Sequence, residues 1–125
     1  MPQPIVYIDT SAICDGKLEQ LELAMKDFSA FVEVNVPQLI FYGFFLDEQR
    51  TQMKVVAVHP DSASLEFHMD VGGPEFQKFA DLIELSRIEI FGHVSDAVLE
   101  RLYQKAQMLG SGTVAMHELY AGFAR

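Results

Sequence analysis

Pro37-Gln38-Leu39-Ile40-Phe41-Tyr42-Gly43-Phe44-Phe45-Leu46, then Asp47-Glu48-Gln49-Arg50, then Thr51-Gln52-Met53-Lys54-Val55-Val56-Ala57-Val58-His59-Pro60 is the stretch whose reading decides the fold. Two runs rich in aromatic and β-branched residues flank a short polar connection, the pattern of a β-hairpin. The first run is apolar on both faces of a strand. A sheet with solvent on one side needs only one apolar face. Something other than the local helices must cover the second face, and a partner subunit is the simplest cover.

Elements are legible on both sides of the hairpin. Ile5-Val6-Tyr7-Ile8-Asp9 reads as a short first strand, and Ser11 to Gly16 as a connection. Leu18, Leu21, Met25, Phe28 and Phe31 or Val32 recur at spacings of three and four, which predicts a helix from Lys17 to Asn35. Pro37 ends it, because the residue before a proline is pushed out of the helical region. After the hairpin, Asp61 or Ser62 caps a second helix with Leu65, His68 and Met69 on one side. Gly72-Gly73-Pro74 is expected to interrupt it, with a restart at Pro74 carrying Phe76, Phe79 and Ile83. Ile88 to Val94 reads as a fourth strand. Ser95 caps a third helix with Val98, Leu99, Leu102, Ala106 and Leu109 inward, and Asp96 in its first turn suits the helix dipole. Gly110-Ser111-Gly112 reads as a turn and Thr113 to Phe123 as a last strand. The order βαββαβ, with an added helix and strand, predicts an α+β, ferredoxin-like fold. The whole chain, 1–125, reads as a single domain with a C-terminal extension at 95–125.

Composition narrows the function classes. The chain has 125 residues, half of them apolar, and a net charge of -9. Eighteen acidic against nine basic side chains argue against nucleic acid and against an anionic membrane surface, both of which need a basic face. No apolar run is long enough to span a bilayer. Met1-Pro2-Gln3-Pro4 lacks the basic and apolar features of a secretory signal, and Cys14 stands alone, so a cytoplasmic location is expected. No two histidines have tight ligand spacing and no cysteine cluster exists, so no metal is expected. The turn after the first strand has no phosphate-binding glycine pattern.

Candidate site residues are then few. His68, beside the glycine-proline break, is the candidate catalytic base, an imidazole placed to enter a pocket. Tyr42, in the aromatic hairpin beside Gly43, is a candidate substrate-binding residue, since a tyrosine hydroxyl in an apolar cavity can orient a phenolic or carbonyl ligand. His93, sharing a strand face with Glu89 and Phe91, and His117, sharing one with Ala115 and Leu119, are further substrate-binding candidates. His59 fits a strand-to-helix turn. Gly43 is read as a bulge or a close approach. Asp9, Asp47, Glu48 and Asp61 are read as caps and solvated charge.

With these residues in place, the chain resembles the dimeric α+β barrel superfamily, and within it the antibiotic-biosynthesis and quinol monooxygenase-like proteins. The resemblance runs from about Ile5 to Val94. It is clearest in Asp61-Ser62-Ala63-Ser64-Leu65-Glu66-Phe67-His68-Met69 and in Gly73-Pro74-Glu75-Phe76-Gln77-Lys78-Phe79. It implies a homodimer whose two sheets press together, with a small apolar or aromatic ligand held between sheet and helices. Some members oxygenate phenols or quinols with no metal or flavin, so it also implies no cofactor, His68 as base or anion stabiliser, and Tyr42 orienting the ring. The haem-degrading relatives use a pocket tryptophan, and this chain has none. Residues 95–125 extend beyond the minimal domain. The competing expectation is a non-catalytic small-molecule-binding or structural dimer, since fold alone does not transfer activity.

Overall fold

A computed structural model describes residues 3–125; the reading of Met1 and Pro2 lies outside them. The elements are β1 (Ile5–Ile13), α1 (Leu18–Asn35), β2 (Phe41–Leu46), β3 (Gln52–His59), α2 (Ser62–Phe76), a short 3₁₀ turn (Gln77–Phe79), β4 (Ile83–Phe91), α3 (Asp96–Met108) and β5 (Gly110–His117). The strands form one sheet in the order β2-β3-β1-β4-β5. The first four are antiparallel neighbours, and β5 joins β4 in parallel through α3. This is the ferredoxin-like split βαβ arrangement with one further helix and strand.

The hairpin sits where its sequence predicts. β2 and β3 pair without a break from Phe41 opposite Val58 to Leu46 opposite Met53. Gly43 therefore marks no bulge; it lies under the rings of Phe41 and Phe45, which stack at 6.3 Å on the outer face. The Asp47 carboxylate accepts from the Thr51 and Gln52 backbone N–H groups at 2.8 and 2.9 Å and closes the turn.

The core lies between the sheet and the helices. Alternation turns Ile5, Tyr7 and Asp9 of β1 and Met53, Val55, Ala57 and His59 of β3 inward, where all are buried. Leu21, Phe28 and Val32 of α1 and Leu65 and Met69 of α2 meet them. The opposite sheet face is apolar at Phe41 and Phe45, 45 % and 51 % exposed, and at the half-buried Ile8, Val56, Val58 and Phe91. The surplus of apolar residues in the hairpin is thus divided between the two faces.

Four element boundaries differ from expectation. β1 continues to Ile13, because Asp9 and Ser11 keep the inward parity although they are polar. α2 is not interrupted at Gly72-Gly73-Pro74 but runs through Pro74 to Phe76, and buried Gly72 lets the Phe76 ring come within 3.0 Å of where a Cβ would stand. β4 begins at Ile83 rather than Ile88. A bulge at Ser86, whose hydroxyl donates to the Thr10 carbonyl at 2.9 Å, changes the inward set from Ile83 and Leu85 to Ile88 and Ile90. β5 takes in Gly110-Ser111-Gly112 and ends at His117, with 118–125 exposed and irregular. A Cβ on Gly110 would lie 2.5 Å from the Leu85 carbonyl oxygen, so only glycine lets the strand start there.

Candidate functional site

The core carries an unusual set of polar groups. Period-two alternation places Tyr7 and Asp9 side by side on the inner face of β1. The Tyr7 hydroxyl donates to Asp9 Oδ2 at 2.6 Å. Lys105, on the buried stripe of α3 with Val98, Leu102 and Leu109, donates from Nζ to the Tyr7 hydroxyl at 2.7 Å and lies 3.4 Å from Asp9 Oδ2. Its ammonium also stands over the rings of Phe76 at 4.2 Å and Tyr7 at 4.8 Å. The side chains of Lys105 and Asp9 are 8 % and 4 % exposed. An ion pair this deep is held against a large desolvation cost. Burial pushes the Lys105 ammonium below its ordinary range, opposed by Asp9. Burial and then the Asp9 charge push the Tyr7 and Tyr42 phenols well above theirs.

One acceptor in this cluster is left open. Asp9 Oδ1 is buried and has no hydrogen-bond partner. Asp9 lines a cavity of about 20 Å³, with Lys105, Phe28, Tyr42, Phe44 and Phe79 among the other walls. That is room for about one water. The walls are organised around Phe28, whose ring centroid lies 5.6 to 6.3 Å from those of Phe76, Phe79, Tyr42 and Phe44.

His68 lies one layer behind this cavity. It is 4 % exposed, and its ring packs on Tyr42 at 5.5 Å, Phe76 at 6.0 Å and Phe28 at 6.2 Å. The His59 ring is 5.6 Å away, and His59 Nδ1 is 2.8 Å from the Ser64 hydroxyl. His68 Nδ1 and His59 Nε2 have no partner among the described residues. Burial first, then the Lys105 and His59 charges, lower His68 to about 3. Burial lowers His59 to about 4. Both imidazoles are neutral near pH 7.

The four sequence candidates divide in two. His68 and Tyr42 pack ring against ring, Tyr42 on the cavity wall and His68 behind it. His93 is exposed in the segment after β4, and His117 is exposed at the end of β5, on the outer sheet face. There His117 stacks on Phe91 at 4.5 Å, with Nε2 3.2 Å from Glu89 Oε2. Sequence reasoning missed Tyr7, Asp9 and Lys105. The signals were present: Asp9 shares parity with Ile5 and Tyr7, and Lys105 interrupts an apolar stripe at helical spacing. Among the described residues no three His, Cys, Asp or Glu side chains gather as a metal would need. Among the same residues no helix is long and apolar enough to cross a membrane. A wider depression of about 870 Å³ between α1 and β2 is open to solvent and lined by opposed charges such as Glu22, Lys26, Glu48 and Arg50.

The class this geometry defines is a fold, a ferredoxin-like βαββαβ core with one further helix and strand, shared with the solved structures it matches. Among solved structures the chain is similar to MupZ from Pseudomonas fluorescens, with a TM-score of 0.76 at 20 % identity over 98 % of this chain and 95 % of that one. It is also similar to SnoaB, a cofactor-independent oxygenase from Streptomyces nogalater, with a TM-score of 0.62 at 13 % identity over 74 % of this chain and 94 % of that one. A third match is a Bacteroides thetaiotaomicron protein provisionally assigned as an antibiotic biosynthesis monooxygenase, with a TM-score of 0.54 at 18 % identity over 66 % and 85 %. No family model matches the sequence, and no curated protein matches it. Identities this low carry the fold and leave the substrate open.

Proposed function

We propose that this protein is a cofactor-independent monooxygenase of a small aromatic or quinol-like substrate, working as a homodimer. The observation that carries the reading is His68: a buried, neutral imidazole with an unpartnered Nδ1, packed against three rings that border the interior cavity. A neutral imidazole can take a proton from a phenolic hydroxyl; burial and the Lys105 charge oppose the imidazolium that forms, and the phenolate left beside it offsets that cost. An apolar, dry surrounding raises the energy of that anion and favours its passing an electron to dioxygen. Tyr42, on the cavity wall, orients the ring. His93 and His117 play no part in this arrangement within one chain. The likeness to SnoaB supports the reaction class at the level of fold.

The test is oxygen uptake by metal-free protein with a panel of hydroquinones and naphthoquinols. Turnover above autoxidation, lowered at least a hundredfold in His68→Ala with binding retained, is the expected result. Equal rates in both proteins would remove His68 from the chemistry.

The outer sheet face supports the dimer. Phe41, Phe45, Ile8, Val56, Val58 and Phe91 form an apolar surface on the side away from the helices. Such a surface is what a self-complementary, two-fold contact needs.

A second reading has its own observation. A 20 Å³ cavity is far smaller than an aromatic ring needs, so the interior is nearly filled by Phe28, Tyr42, Phe44 and Phe79. A non-catalytic dimer would look the same at rest. Absence of binding by every ring compound of the panel at millimolar concentration would select this reading.

A further inference from the structure

The buried Tyr7–Asp9–Lys105 cluster takes no step in the His68 chemistry, beyond the Lys105 charge that helps to keep that imidazole neutral. The cluster's hydrogen-bonding capacity is uneven. The Lys105 ammonium reaches the Tyr7 hydroxyl, Asp9 Oδ2 and the faces of Phe76 and Tyr7. The Tyr7 hydroxyl accepts from Lys105 and donates to Asp9. Asp9 Oδ2 is therefore occupied, while Asp9 Oδ1, in a residue 3 % exposed that lines the cavity, has no partner among the described residues. The open group at this end of the cavity is an acceptor, and a buried unmatched acceptor is costly.

We propose that Asp9 Oδ1, held in place by Tyr7 and Lys105, is the anchoring point for a ligand that enters the interior cavity through a donating hydroxyl. The ligand class is then an uncharged, largely apolar molecule bearing a phenolic, quinol or alcohol O–H. A carboxylate is excluded, because it would bring two more acceptors against an occupied cation and a free carboxylate oxygen. An ether or a ketone is disfavoured for the same reason. This inference rests on the interior-cavity reading given above, and it names a residue and a substrate feature that reading does not need.

The anchor depends on the C-terminal extension. Lys105 lies in α3, and the match to SnoaB leaves about a quarter of this chain uncovered, a share comparable in length to residues 95–125. The added helix thus contributes the ammonium that lies against Asp9 inside an apolar core. Ligand entry requires Tyr42 and Phe44 to move, and both lie on β2, the edge strand of the sheet.

The test compares 2-naphthol, its methyl ether and 2-naphthoate by calorimetric titration of the wild-type dimer or monomer as purified. The expected order is binding by naphthol, at least tenfold weaker binding by the ether, and none by the naphthoate. Asp9→Asn and Lys105→Met are each expected to weaken naphthol at least tenfold and leave the weak ether binding unchanged. The wild-type ligand series needs no variant to fold. Equal affinity for naphthol and its ether, or tight binding of naphthoate, overturns the anchor while leaving the interior cavity as a binding site. Binding of none of the three overturns it too, with Asp9 Oδ1 then matched only by a trapped water. Naphthol binding with no oxygen uptake by any quinol supports the anchor and sinks the oxygenase reading alone.

Discussion

Asp9 and Lys105 are the residues at which stability and function pull in different directions. Removing one partner of a buried ion pair leaves an uncompensated charge, at a cost of about 3–5 kcal/mol. Lys105→Met is therefore expected to lower the unfolding free energy by about that much in urea titrations. Replacing both, as Asp9→Leu with Lys105→Met, is expected to recover most of the loss, because a well-packed apolar pair needs no desolvation. A double variant as stable as wild type but unable to bind naphthol would show that the pair is kept for its site. The two histidines make a second prediction. Both have folded-state values near 3 and 4, below the ordinary 6.5, so the unfolded chain binds more protons between those limits. Stability is then full above about pH 6.5 and falls as pH drops toward 3, by an amount on the order of a few kcal/mol. Chemical denaturation at a series of pH values checks this, and His68→Phe is expected to flatten the slope. At this scale the sequence was half legible. His68 and Tyr42 could be found because histidine and tyrosine stand out in an apolar stretch. Asp9 and Lys105 carried a weaker signal: parity with Ile5 and Tyr7, and a place in the α3 stripe, mark them as inward, but a charged residue at such a position reads first as surface charge.

At the scale of elements, local pattern succeeded where one face is apolar and failed where glycine and proline carry tertiary roles. The hairpin, α1 and the Ser95 cap follow directly from their periodicity; the Ser95 hydroxyl accepts from the Val98 N–H at 3.2 Å, as its position before Asp96 implies. Gly72 and Gly110 read locally as breaks. In the structure both allow close approach, Gly72 to the Phe76 ring and Gly110 to the β4 backbone. Gly110→Ala is expected to destabilise by more than about 2 kcal/mol, since the atom it meets is a backbone carbonyl that cannot give way. Thermal unfolding of the variant checks it, and an unchanged midpoint would mean that β5 docks differently. The bulge at Ser86 explains why β4 was placed late. A strict alternation cannot hold Ile83, Leu85, Ile88 and Ile90 on one face, and only pairing with β1 resolves it.

For the whole molecule, the apolar outer face of the sheet is where the proposed dimer contact would lie. Phe45→Glu is expected to convert a dimer into a monomer in light-scattering measurements, with the fold retained, because Phe45 is half-exposed in the single chain. An unaltered mass would place any dimer contact elsewhere. The central claim is that the interior between sheet and helices admits a hydroxylated aromatic molecule next to His68, Tyr42 and Asp9. A crystal structure of the protein grown with 2-naphthol tests it most directly. The account expects the ring in place of displaced Tyr42 and Phe44 side chains, with its hydroxyl within hydrogen-bond distance of Asp9 Oδ1 and its edge near His68. Unchanged packing of Phe28, Tyr42, Phe44 and Phe79, with naphthol only on the outer surface, would contradict it and leave a dimer filled by its own aromatic side chains.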